Sequence, residues 1–140
     1  MENSLEFLTR MHEIIKDRET YPFICSPIAL EMAKRLVSEG KKPSILLIES
    51  KMYRPLPFRY DYLEPRLYNG KVKWGWHHAC CEDGKVYDPL SRSPLPMEEY
   101  LGKSFVNEAG ARVVMSFEDI IHDKRIIGRT NKDSTYHFFD

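Results

Sequence analysis

The sequence has no excess of either charge. Lys+Arg and Asp+Glu each number 21 in 140 residues, so the formal net charge is zero. A nucleic-acid partner is not expected, because binding a polyanion draws on a surplus of basic side chains. Long apolar runs are also missing. The longest uncharged one, near Ile45 to Ile48, is strand-sized and far short of the ~18 residues of a membrane span, so no membrane partner is expected. The start, Met1-Glu2-Asn3-Ser4-Leu5-Glu6, lacks the basic residues and apolar core of a signal peptide. Cysteine is scarce: Cys25, Cys80 and Cys81, an odd count with two adjacent, do not read as a disulfide framework. These absences point to free thiols in the cytoplasm, or to secretion by a route that needs no signal peptide. Internal repeats and low-complexity tracts are absent too. What is present is 42% hydrophobic and 12% aromatic residues, enough for one domain with its own core across residues 1–140.

Periodicity sets the expected elements. Leu5, Leu8, Met11, Ile14 and Ile15 share a stripe, which predicts an amphipathic helix over 4–17 capped by Asn3 or Ser4. Ser26 and Pro27 read as N-cap and first helical residue, and Gly40 as the left-handed stop, of a helix over about 27–39. Ile45 to Ile48 reads as a buried strand. Residues 53–67, with Pro55, Pro57 and Pro65 among aromatics, read as a loop with extended pieces. Lys71–Glu82 and Lys85–Tyr87 flank Asp83-Gly84, the strongest hairpin signal in the chain. A short helix over 97–105, a strand over 113–115, a helix over 117–121 and a strand over 124–130 complete the order. Helices followed mostly by strands predict an α+β domain with helices on an antiparallel sheet.

Three residues carry potential chemistry. Cys25 lies just before the N-terminus of the second expected helix, where backbone N–H groups and the helix dipole stabilise an anion. That lowers a thiol pKa, and the amides of Cys25 and Ser26 are placed to hold an oxyanion. The hairpin supplies the partners. A three-residue loop, Glu82-Asp83-Gly84, puts His78 directly opposite Asp88, with Cβ atoms roughly 5 Å apart. A two-residue turn, Asp83-Gly84, instead puts Ala79 opposite Asp88 and His77 diagonal to it on the same face. Direct opposition favours His78 as the base, with His77 the alternative. Either way a carboxylate orients an imidazole that activates a thiol.

Cys25-x3-Ala29, then Ala33-x2-Leu36-x3-Gly40, resembles the nucleophile helix of the transglutaminase-like group of the papain-like superfamily. Trp76-His77-His78-Ala79 and Asp83-Gly84-Lys85-Val86-Tyr87-Asp88-Pro89 resemble its histidine and aspartate strands. The resemblance covers roughly a third of the chain and follows the group's Cys, His, Asp order. It departs from the usual His-Ala-Trp-Val-Glu at Cys80-Cys81-Glu82, and it doubles the histidine. It implies a papain-like fold with Cys25 as nucleophile, His78 as general base and Asp88 as orienting carboxylate. It also implies amide chemistry through a thioacyl-enzyme: a thiol protease, a protein or peptide glutamine deamidase, or, with an amine as acceptor, a transglutaminase.

Other readings compete. His77, His78, Cys80 and Cys81 invite a zinc site, but alternation leaves two ligands per face and no second motif completes four; no metal or organic cofactor is expected. Trp74, Trp76, Tyr53, Phe58, Tyr60 and Tyr62 suit either core packing or the groove of a non-catalytic peptide-binding module that retains the fold. Glu19 and Tyr21 carry no pattern that marks an oxyanion donor. A short chain has little room for a separate substrate domain, which favours a protein or peptide partner in an open groove. Zero net charge does not fix the oligomeric state.

Overall fold

Residues 2–18, 25–51 and 62–124, together with the backbone of 53–54 and 59–60, are described by a computed structural model. The expectations for Glu19, Tyr21, Pro55, Pro57, Phe58 and the strand beyond Lys124 lie outside the described residues, as do the side chains of Tyr53 and Tyr60. Helix α1, Ser4–Ile15, opens with a capping box: Asn3 Oδ1 accepts from the Glu6 amide at 2.8 Å, and Glu6 Oε1 accepts from the Asn3 amide at 3.1 Å. Its stripe buries Phe7, Leu8, Met11 and Ile15, each worth roughly 1.5–3 kcal/mol relative to exposure. Leu5, placed on that stripe by periodicity, is instead exposed.

Helix α2, Cys25–Ser38, begins two residues earlier than the Ser-Pro signal suggests. Ser26 is therefore inside the first turn, not an N-cap, and Cys25 is the first helical residue. The far end matches expectation. Gly40 sits at φ +81°, and its amide and that of Lys41 close back on Val37 and Leu36, a Schellman stop. Glu39 then accepts from the Ser4 amide at 2.7 Å and from the Ser4 hydroxyl at 2.8 Å, tying the end of α2 to the start of α1.

The sheet has five strands: β1 (Ser44–Ser50), β4 (His77–Glu82), β5 (Lys85–Tyr87), β6 (Leu95–Pro96) and β7 (Ala109–Met115), in the order β6-β5-β4-β1-β7 with every pair antiparallel. Strands β2 (Tyr53–Arg54) and β3 (Arg59–Tyr60) form a separate ribbon. The apolar run of β1 lies inside the sheet, between β4 and β7, with Ile45, Leu46 and Ile48 buried. Helix α2 packs on β4 and β1, and α1 packs on α2. Helix α3 (Met97–Ser104) lies against β5, β6 and β7, and α4 (Phe117–Ile121) against β7. The fold is α+β, and none of the described helices is long and apolar enough to cross a membrane.

The hairpin joining β4 to β5 has a two-residue turn. Cys80 pairs with Tyr87, Cys81 with Val86 and Glu82 with Lys85. Asp83 (φ +50°) and Gly84 (φ +76°) are both left-handed, the backbone of a type I′ turn, whose twist suits a hairpin better than the expected three-residue loop. The direct opposition of His78 and Asp88 is thereby lost. Continued one residue beyond β5, that register brings His77, not His78, to the Asp88 side.

Candidate active site

Strand β5 ends at Tyr87, and Asp88 follows it into a turn. Asp88 Oδ1 accepts from the Leu90 amide at 3.1 Å. Asp88 Oδ2 accepts from His77 Nε2 at 2.7 Å and from the Tyr100 hydroxyl of α3. All three side chains are buried, at 2%, 0% and 1% exposure for Asp88, His77 and Tyr100. With Nε2 committed to the carboxylate, the His77 ring and the buried Cys25 thiol lie close enough to influence each other's ionisation. The indole of Trp74 stacks on His77 with centroids 4.8 Å apart and planes 23° apart, while Phe105 meets the ring edge-on at 6.0 Å. The imidazole is therefore fixed in position by two ring contacts and in tautomer by one carboxylate.

Electrostatics follow from that chain. Burial, the largest influence on Cys25, raises its pKa, but the hydrogen bond and charge of His77 and a hydrogen bond from the His78 amide outweigh it, so the thiol is lowered. Burial also works against the His77 cation. The Asp88 charge and hydrogen bond, joined by Cys25, overcome it and push His77 up to about 9. Asp88 is lowered: burial raises it, but the charge and hydrogen bond of His77, the Tyr100 hydroxyl and the Leu90 amide prevail. Burial raises the other two thiols, Cys80 strongly and Cys81 less. Together these directions shift the site toward a thiolate–imidazolium pair backed by a carboxylate, the ionisation that makes a cysteine nucleophilic.

His78, the favoured base of the sequence reading, is elsewhere. Its Nδ1 lies 2.6 Å from Ser26 Oγ, and the ring of Trp76, itself 48% exposed, tilts over it at 4.7 Å. Burial and the charge of His77 hold its pKa below the ordinary histidine value. The amides of Cys25 and Ser26 stand at the start of α2. Sequence reasoning misses Tyr100 altogether and reads Trp74 only as core packing or groove lining. The signal for Tyr100 was available: a tyrosine on the inward side of a short helix needs a partner for its hydroxyl once buried. Among the described residues, no group of three or more His, Cys, Asp or Glu side chains converges as a metal site. Comparison with protein-family models, with curated proteins and with solved structures returns no match.

Proposed function

We propose that the domain is a cysteine-dependent amide hydrolase with Cys25 as nucleophile, His77 as acid and base, and Asp88 as orienting carboxylate. The observation that carries this reading is the buried chain Cys25–His77–Asp88, whose His77–Asp88 bond is 2.7 Å. The finer fold assignment, a papain-like domain of the transglutaminase-like group, belongs to the same proposal and rests on the motif resemblance and the helix-on-sheet placement of the three residues.

The chemistry runs in two halves. The Cys25 thiolate attacks an amide carbonyl carbon, a C–S bond forms, and the carbonyl electrons move onto oxygen, facing the first-turn amides of α2. As the oxyanion collapses the C–N bond breaks, and His77 gives its proton to the departing amine. Water then attacks the thioacyl carbon while His77 takes its proton, the C–S bond breaks, and an acid is released. An amine in place of water gives transamidation. A protein or peptide is the substrate class, through either a main-chain or a glutamine side-chain amide.

The test is thiol alkylation mapped by mass spectrometry between pH 5 and 9. Cys25 is expected to label first and already at pH 6, ahead of Cys80 and Cys81, and Cys25→Ala is expected to abolish release of ammonia or new amino termini from a peptide pool. A Cys25 that labels no faster than an ordinary thiol at every pH would overturn the proposal in favour of a non-catalytic peptide-binding module.

A further inference from the structure

Resting on that reading, we infer that His78 is a positioning residue: from one point on β4 it clamps both residues that open α2, its amide on Cys25 Sγ and its ring on Ser26 Oγ, and so sets the amides that take up the oxyanion. The geometry has three parts. Strand β5 is only three residues long and pairs Cys80–Glu82 of β4. At His78 the β5 side of β4 is therefore open to the start of α2, and there the His78 amide donates to Cys25 Sγ. The ring of the same residue makes the 2.6 Å bond to Ser26 Oγ. Pro27 follows Ser26 and contributes no N–H. The donors beside the sulfur are thus the amides of Cys25 and Ser26, and the Ser26 side chain is the handle by which the second of them is held.

The ring suits this task better than proton transfer. Burial and the neighbouring His77 charge disfavour its cation, so at pH 7 it is a neutral hydrogen-bonding group and not a second positive charge competing for the thiolate. Its two attachments are also separable. His78→Ala removes the ring and keeps the amide, and Ser26→Ala removes the hydroxyl and keeps the backbone donor.

Two small reagents isolate the effect without a known substrate. Iodoacetamide alkylates the thiolate by forming a C–S bond as iodide leaves, and no oxyanion develops. p-Nitrophenyl acetate acylates the same sulfur through a tetrahedral oxyanion before nitrophenolate leaves. The ratio of acylation to alkylation at Cys25 therefore reports the oxyanion contribution alone. Because a misplacement of about 1 Å can cost on the order of 10²-fold, loosening one donor without removing it is expected to lower that ratio roughly tenfold in both Ser26→Ala and His78→Ala. Ser26→Thr, which retains the hydroxyl, is expected to restore it. A merely structural role changes both rates together and leaves the ratio at the wild-type value. That outcome, with both reactions still dependent on His77, overturns the clamp and spares the triad. If His77→Ala changes neither reaction, the triad reading falls and takes the clamp with it.

Discussion

His77 and His78 are consecutive residues of one strand, each lies against a tryptophan, and each reaches the first turn of the same helix. Their environments nevertheless drive them to opposite ionisations. His77 is fully buried, but the Asp88 carboxylate beside it makes the cation the better-solvated form, and its pKa rises to about 9. His78 is half-buried, and no opposing charge raises its pKa; burial and the cation next door lower it instead. Trp74, 2% exposed, seals the first ring, whereas Trp76, 48% exposed, only shades the second. Burial alone does not decide what a histidine does. A charged partner placed before the ring is desolvated turns the same side chain from a neutral hydrogen-bonding group into a stored proton.

The comparison is most easily broken at the rings themselves. His77→Ala removes the cation that lowers the Cys25 thiol and leaves burial, which raises it. Alkylation at pH 6 is then expected to fall by at least roughly tenfold, as the thiol returns toward or above its ordinary pKa. His78→Ala at the same pH is expected to change alkylation by no more than about threefold, since the ring it removes does not reach the sulfur. Equal losses in the two variants would erase the distinction between the rings. Both rates come from one pseudo-first-order measurement with site mapping.

Asp88 offers the next largest effect. Asp88→Asn leaves His77 buried without its countercharge, and breaking a buried pair in this way costs about 3–5 kcal/mol. The sign with pH follows from both partners. Asp88 is lowered from 3.8, so its stabilisation is present above that value and is lost as pH falls through the lowered pKa. His77 is raised from 6.5 to about 9, so its stabilisation is complete below 6.5 and is lost as pH rises through about 9. Thermal melts should therefore show the wild type furthest above Asp88→Asn between roughly pH 4 and 6.5, with the gap narrowing as pH approaches 9. A gap that is flat across this range would mean that His77 and Asp88 do not form an ionised pair in the folded protein.

Much of this frame was legible in the sequence, and the errors are instructive. Helix α1, the stop of α2 at Gly40, the core strand β1 and the existence of the hairpin follow from spacing and punctuation. Turn length did not follow, because Asp-Gly satisfies both a two-residue type I′ turn and a three-residue loop with a left-handed glycine. That single residue of register decided which histidine meets Asp88. The expected strand over 71–76 failed for a different reason: Trp74 makes only an isolated bridge, to Leu63, and β4 begins at His77. Strand β7 runs from Ala109, four residues earlier than Val113, and was hidden because Ala111 to Val114 are exposed at the sheet edge and show no alternation of burial. Tyr100 was missed because the partner that gives its hydroxyl a purpose lies on another element.

The smallest expected effect separates the two tryptophans. Trp76 is nearly half exposed and its main described contact is the tilted face it turns to His78. Trp76→Ala is expected to change stability by no more than about 0.5 kcal/mol, as for other surface replacements. It should still be visible at one atom group. Removing the indole returns solvent to the His78 ring, which relieves the larger of the two influences that hold its pKa down, so the His78 titration followed by proton NMR should move up toward the ordinary histidine value. The His77 titration should stay in place, because Trp74, Phe105 and Asp88 still enclose that ring. An upward shift of His78 alone would establish that the two rings titrate in separate environments although their residues are adjacent. A matching shift of His77 would mean that solvent reaches both rings through one opening, and that the closed environment of His77 depends on Trp76 as much as on Trp74.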